Sequence, residues 1–409
     1  MLADPSLTDH DHSPRGLTED ELRHWRALPA AQQPDWDGWL SRRMGSALAG
    51  APPLVQAADV RRLRDLLAGV AAGRAQVVQA GDCAEDPADC VPDVLARKLG
   101  LLETLAVSLR ARSGLPVVRA GRIAGQFAKP RSKALEPHGA GELPAFRGHL
   151  VNSPEPDPVL RRPDPMRLLS GYQAAANAVT FLRATGSPVW TSHEALLLDY
   201  ELPLVRRTPD GEVYLSSTHW PWVGDRTRQL DGAHVRLLAA VANPVACKVG
   251  PTTTPEELLA LCAVLDPDRS PGRLTLIARL GADLVADLLP PLVAAVKAAG
   301  HPVVWLSDPM HGNTITAPGG QKTRLLHTVL REIRRFREVL AAEGVHAGGL
   351  HLEVTPEPVV ECVTGDDDLD LVGLPGTARY LSTCDPRLNP DQALAAVEAW
   401  STVPQLSTR

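Results

Sequence analysis

Short runs of consecutive apolar, β-favouring residues recur along most of this chain, at 76–80, 115–120, 188–191, 217–223, 244–249, 274–278, 302–306 and 349–354. Between several of them the apolar positions shift to a spacing of three and four, which predicts helices over 91–112, 167–184, 254–265, 283–299 and 321–344. An unbroken apolar run suits a parallel strand covered on both faces, and strand alternating with helix suits a parallel sheet. Eight such runs predict an α/β protein folded as a (β/α)8 barrel, the TIM-barrel architecture, over residues 76–409. The rival is an open doubly wound sheet, but its Gly-x-Gly-x-x-Gly turn is missing after the first run.

Ahead of the first run the pattern is only helical. Thr18-Glu-Asp-Glu21 resembles a capping box opening a helix that carries Leu22, Trp25 and Leu28. Another short helix begins near Pro34, and 57–72 places Val60, Leu63, Leu67 and Val70 on one stripe. Residues 17–75 are thus expected to be a helical extension packed on the barrel, and 1–16, polar and aperiodic, to be disordered. Residues 129–165 and 364–375 are expected to be long loops, the second acidic.

Charge and composition narrow the function classes. The net charge is −6 with no basic stripe, which argues against a nucleic-acid partner. The arginines of 331–337 alternate with Glu332 and apolar residues, as a solvated helix face would. The first sixteen residues lack the apolar core of a secretory signal, and the most apolar region, 284–300, is interrupted by Asp287, Pro290, Pro291 and Lys297. No membrane association is expected. Six cysteines in 409 residues do not make a disulfide scaffold, so the expected setting is cytoplasmic.

In a barrel of this kind the chemistry sits where strands end. Two chemical groups gather at the predicted strand ends. Cys83, His311, Glu353 and Asp385 are metal-ligand types that suit manganese, cobalt, iron or zinc, although their spacing matches neither a zinc finger nor a His-Glu-x-x-His helix. The alternative is a buried Cys83 and a core Glu353 paired with an arginine. Arg122, Lys129, Arg131, Arg226, Lys248 and Arg279 form the second group. The nearby acids, Glu85, Glu194 and Asp225, are too few to pair all six, so a substrate with several negative charges is expected. Metal and cations together suit a phosphorylated substrate whose carbonyl is polarised by the ion. A Schiff-base aldolase using Lys248 is an alternative; a metal-dependent hydrolase is disfavoured, because the first strand lacks His-x-His.

Longer motifs sharpen this. GDCAE at 81–85, GRIAGQFAKPRS at 121–132, SHEALLLDYE at 192–201, GDRTRQLDGAH at 224–234 and ANPVACKVGPT at 242–252 resemble type II 3-deoxy-D-arabino-heptulosonate 7-phosphate (DAHP) synthase. PGRLTLIARLG at 271–281, DPMHGNT at 308–314, GGLHLEVT at 348–355 and CDPRLNPDQAL at 384–394 extend the similarity nearly to the carboxyl end. The resemblance implies condensation of phosphoenolpyruvate with erythrose 4-phosphate to DAHP and phosphate, the first step of the shikimate pathway. It implies Cys83, His311, Glu353 and Asp385 as ligands of a divalent metal, manganese or cobalt before zinc or iron. It implies Arg122, Asp225, Arg226, Lys248 and Arg279 as the phosphoenolpyruvate site, and Lys129, Arg131 and Ser132 as the erythrose 4-phosphate site. Lys129, or a water at the metal, is expected to manage the proton on the new hydroxyl, with His311 at the reacting carbonyl. A homodimer or higher oligomer, and a chorismate mutase partner, follow by analogy.

Departures from the family pattern carry their own expectations. Asp225 stands where Glu is usual, and the DPADC run ending at Cys90 is unusual. The helical pair that helps longer relatives bind aromatic amino acids is missing after residue 184, so little feedback inhibition and a secondary-metabolic role are expected. Cys83 and Cys384 are expected to lie close enough for oxidation to join them. An amino-DAHP synthase, or another enzyme condensing phosphoenolpyruvate with an aldehyde, shares the same motifs. A non-catalytic partner of chorismate mutase is the remaining alternative.

Overall fold

The computed structural model describes residues 16–139, 141–186, 188–372 and 379–401. Eight parallel strands close into a barrel in chain order: β1 (Gln76–Gly81), β2 (Val117–Arg122), β3 (Val189–Glu194), β4 (Trp220–Val223), β5 (Val245–Val249), β6 (Leu274–Ala278), β7 (Val304–Ser307) and β8 (Ala347–Glu353). Closure comes from β8 pairing with β1, Val77 opposite Gly349 and Gly81 opposite Glu353. Each apolar run therefore contains a strand. The run 217–223 starts its strand late because Ser217 and Thr218 are spent on side-chain bonds to Glu201 and Thr191.

Three helices come first: α1 (Glu19–Arg26), with its Thr18–Glu21 capping box, α2 (Gly38–Ala49) and α3 (Ala57–Ala71). Of the stretch 1–16 only Gly16 lies within the described residues, and of the acidic loop 364–375 the last three lie outside them. Around the barrel run α4 (Pro92–Ser113), α5 (Arg167–Ala184), α6 (Leu198–Glu201), α7 (Ala233–Ala240), α8 (Pro255–Leu265), α9 (Val285–Ala298), α10 (Leu326–Ala342) and α11 (Pro390–Ser401). The third crossover is the exception to the barrel pattern. It has the one-turn α6, a 3-10 turn at Leu202–Leu204 and a hairpin of Val205–Arg207 with Val213–Leu215 in place of a full helix.

Two expectations need correction. Helix was expected from residue 321, but Lys322–Arg324 is a strand paired with Thr314–Thr316, and α10 begins only at Leu326. Arg324 is pulled into the protein there and is fully buried. Nor is 331–337 simply a solvated face. Glu332 is buried and accepts from Gly281 N (3.0 Å) and Asn313 Nδ2 (2.5 Å), while Arg337 donates to Trp400 O. Burial pushes the Glu332 carboxyl up to about 8. The helix must cover the loops after β6 and β7, and their exposed backbone donors need an acceptor.

Alternation along the strands separates two cores. Val78, Ala80, Leu350 and Leu352 pack outward against the helices, while Val77, Val118, Trp190, Trp220, Ala246, Ile277 and Val304 fill the barrel. Leu63, Leu67 and Val70 of α3 belong to that inner set, so α3 is the floor of the barrel. The contact is tight: a Cβ on Gly272, at φ +80°, would lie 2.1 Å from Arg64 O. With the floor sealed, chemistry is left to the opposite, carboxyl-terminal mouth. Leu67→Ala should cost about 2–5 kcal/mol in urea unfolding, because a fully buried side chain leaves a cavity. Activity of the folded fraction should be unchanged, and an unaltered unfolding midpoint would contradict the role of α3 as floor.

Candidate active site

Above the apolar floor the inward positions turn polar. Arg122 Nη1 donates to His351 Nε2 (2.9 Å), so the imidazole proton lies on Nδ1, which faces Gln79 Oε1 at 2.6 Å. Gln79 Nε2 donates to Ser192 Oγ (2.7 Å), which donates to Trp220 O (2.6 Å). Burial, with Lys248 nearby, holds His351 well below its ordinary pKa, hence neutral.

At the rim, charges alternate. Glu353, fully buried at the end of β8, meets Arg122 Nη2 (3.2 Å), His311 Nε2 (3.1 Å) and Arg324 Nη2 (2.8 Å). Burial works against its charge, but His311 and Arg324 outweigh it and hold the carboxyl well below the usual range. Asp308 fixes the loop after β7: Oδ1 accepts from Met310 N and His311 N, and Oδ2 lies 2.8 Å from His311 Nδ1. Burial opposes a charged His311, yet Asp308 and Glu353 push its pKa up to about 10. Lys248 Nζ meets Asp308 Oδ2 at 2.5 Å, and burial brings that ammonium down to about 8.

The carboxyl-terminal segment supplies the other wall. Lys129 Nζ lies 2.8 Å from Asp385 Oδ2 and 3.3 Å from Cys83 Sγ, and contacts Cys384 Sγ. Lys322 reaches Asp385 Oδ1 at 2.7 Å. Burial raises the Cys83 thiol well above its usual range; in Cys384 the bond to Cys83 and the Lys129 charge overcome burial and lower it. The four expected metal ligands fall into two overlapping groups that share Asp385: Cys83 with Cys384 and Asp385, and His311 with Glu353 and Asp385. Donor atoms within each group lie within 4.8 Å of one another. Two carboxylates, an imidazole and thiols crowded this closely suit a divalent ion of borderline softness. The residues present therefore fit such a metal, and Cys384, expected near Cys83, brings its Sγ within 4.8 Å of the Cys83 and Asp385 donor atoms.

A cleft opens over both groups, lined among others by Cys83, Arg122, Lys129, Glu194, Trp222, Arg226, Lys248, Arg279 and His311. Trp222 is the shelf for two cations, with Arg122 and Lys248 at 5.5 and 5.9 Å from its ring centroid. The expectation that the six cations outnumber their partners is corrected here. Arg122, Lys129, Lys248, Arg279 and Arg131 pair with Glu353, Asp385, Asp308, Asp225 and Glu136. Arg226 alone of the six makes no ion pair among the described residues; it donates to Ser132 Oγ (2.7 Å). Most of these acids lie far away in sequence, so spacing could not reveal them. Of the acids named from sequence, Asp225 does pair, Glu85 instead caps the backbone N–H groups of Ala124, Gly125 and Gln126, and Glu194 makes no ion pair among the described residues.

Arg131 and Ser132 stand outside the cleft wall; Arg131 turns to Glu136 of the hairpin Leu135–His138/Gly141–Pro144. Sequence reasoning placed Glu194 near the cations as an ion-pair partner rather than as a group facing the cleft, and missed Arg324 altogether. Glu194 Oε1 is buried without a partner, and burial raises its pKa although Lys248 and His311 are near. Its place on the inward side of β3, two residues after Ser192, was a usable signal.

The chain is similar to known proteins over most of its length. The model of the class-II DAHP synthetase family matches residues 20–188 and 185–399. A probable phospho-2-dehydro-3-deoxyheptonate aldolase of Pseudomonas fluorescens is 52% identical over 396 residues, 94% of this chain and 98% of that protein. A phospho-2-dehydro-3-deoxyheptonate aldolase of Streptomyces coelicolor is 41% identical over 425 residues, 90% of this chain and 94% of that protein. The solved structure of the Francisella tularensis phospho-2-dehydro-3-deoxyheptonate aldolase shares the fold, at TM-score 0.52 and 14% identity, covering 87% of this chain and 95% of that one. A family match across nearly the whole barrel, with half of all positions identical to one relative, establishes that this chain belongs to the class-II DAHP synthetase family.

Proposed function

We propose that the chain condenses phosphoenolpyruvate with D-erythrose 4-phosphate and water to give DAHP and phosphate. The observation that carries this is one cleft in which cations shelved on Trp222 face a cluster of metal-ligand side chains. Arg122, Arg226, Lys248 and Arg279 hold the carboxylate and phosphate of phosphoenolpyruvate, and Asp225 orients Arg279 through its 2.9 Å contact. Lys129, with Arg226-linked Ser132 and Arg131 at the outer edge, receives erythrose 4-phosphate. Cys83, His311, Glu353 and Asp385 would hold a divalent ion, manganese or cobalt before zinc or iron, which supplies Lewis acidity toward the aldehyde.

In the condensation, C3 of phosphoenolpyruvate forms a bond to the aldehyde carbon, and Lys129 delivers a proton to the resulting alkoxide. Burial opposes its charge, yet Cys384, Cys83 and Asp385 keep Lys129 protonated and ready to donate. Water then adds at C2, one of its protons passing to the carboxylate of Glu194, whose Oε1 has no partner among the described residues. The C2–oxygen bond to phosphate then breaks, and the remaining hydroxyl proton leaves with the phosphate as the ketone forms. Only four sequence positions separate the end of α5 at Ala184 from the start of β3 at Val189, too few for an inserted helical pair, which supports a form with little feedback control.

Consumption of phosphoenolpyruvate should depend on erythrose 4-phosphate, stop with EDTA, recover with manganese or cobalt, and ignore micromolar Trp, Phe or Tyr. Turnover that needs no aldehyde would overturn the assignment. Lys129→Met should lower kcat by about 10²–10⁴-fold with a far smaller change in metal affinity; unchanged turnover refutes its role. The Lys248 charge is lost as pH rises through about 8, so kcat/KM for phosphoenolpyruvate should fall above that pH. In Lys248→Arg the fall should move to higher pH, and an unmoved fall would assign it to another group.

A further inference from the structure

We propose that Arg387, clamped between Asp82 and Glu361, is a positioning residue that sets the metal affinity of the Cys83–Asp385 group. The proposal rests on that group's being the metal site.

Cys83 and Asp385 are 302 positions apart, and neither lies in a strand. Their separation of 3.7 Å therefore depends on whatever ties their two loops together. Asp82 adjoins Cys83, and Arg387 lies two residues beyond Asp385. Arg387 Nη1 donates to Asp82 Oδ1 at 2.6 Å, while Lys98 of α4 holds Asp82 Oδ2 at 2.7 Å. The loop after β1 is thus fixed to the helical frame on one side and to the carboxyl-terminal segment on the other.

Glu361 does the same for the second loop. Its fully buried carboxylate accepts from five donors: Leu381 N (3.0 Å), Ser382 N (2.8 Å), and Arg387 N, Nε and Nη2 (2.7, 3.0 and 2.7 Å). The guanidinium fork fixes direction as well as distance. Ser382 Oγ donates to Asp385 O (2.7 Å) and accepts from Cys384 N (3.1 Å). Residues 381–387 therefore wind around one carboxylate and turn the Asp385 side chain toward Lys129 and Lys322. Arg387 and Asp82 face a separate polar cavity, lined also by Lys98, Glu357, Arg379 and Ser382, behind the substrate cleft. Neither residue lines the cleft itself, so the clamp acts on the ligands and leaves substrate contacts alone.

Outer partners of metal ligands typically change metal affinity by about 10–100-fold. Manganese titrated calorimetrically into the metal-stripped full-length chain tests this, with Asp82→Asn and Arg387→Lys compared with wild type. Both variants should raise the manganese Kd by about 10–100-fold. At saturating manganese, kcat and the KM for phosphoenolpyruvate should return to wild-type values. Asp82→Asn keeps the Glu361 fork intact, so it carries the test if Arg387→Lys fails to fold. A folded Asp82→Asn with wild-type manganese Kd overturns the proposal. Asp385→Asn serves as reference: if it too binds manganese like wild type, the metal-site assignment itself is wrong, which is a separate outcome.

Discussion

A carboxylate with no exposed surface, Glu353, is the constraint on which the rim depends. Three segments must reach it: β2 with Arg122, the loop after β7 with His311, and the strand Lys322–Arg324 with Arg324. An uncompensated buried charge is expensive, and removing one partner of such a pair typically costs about 3–5 kcal/mol. Arg122 in turn reaches His351 and Cys83 O, and His311 is tied to Asp308 and through it to Lys248. One buried charge thus registers the proposed metal-ligand wall and the proposed substrate-binding wall against each other.

The same economy explains how a crowded site stays folded. Placing many cations around a small cleft is unfavourable unless acids lie between them. Here Asp225, Asp308, Glu353 and Asp385 do so, and two of those acids, Glu353 and Asp385, belong to the proposed ligand set. Arg226, bonded to a hydroxyl instead, and Glu194, whose Oε1 has no hydrogen-bond partner among the described residues, stand apart from this pairing. Below them the neutral His351–Gln79–Ser192 chain satisfies polar atoms without adding net charge.

Position in the strands made much of this legible in advance. Period two carries Arg122, Glu194, Lys248 and Glu353 inward at strand ends, so their gathering at one mouth follows once the strands are known. Local reasoning failed where a residue answers to a distant partner. Residues 321–324 have helical neighbours in sequence, yet Arg324 is drawn into a strand by Glu353. Glu332 reads as part of a charged, solvated stripe, yet it accepts from Gly281 and Asn313 beneath its helix.

Sequence by itself determined the eight strands, the helices between most of them, and the chemical types delivered to the rim. Those properties depend on apolar runs and short periodicities, which act over a few residues. Tertiary structure alone decided which cation meets which acid, that α3 seals the floor, and that Lys129 reaches Cys384. Arg122 and Glu353 are 231 positions apart, and such pairs meet only when β8 closes on β1. No short-range pattern encodes a contact that exists only after the barrel has closed.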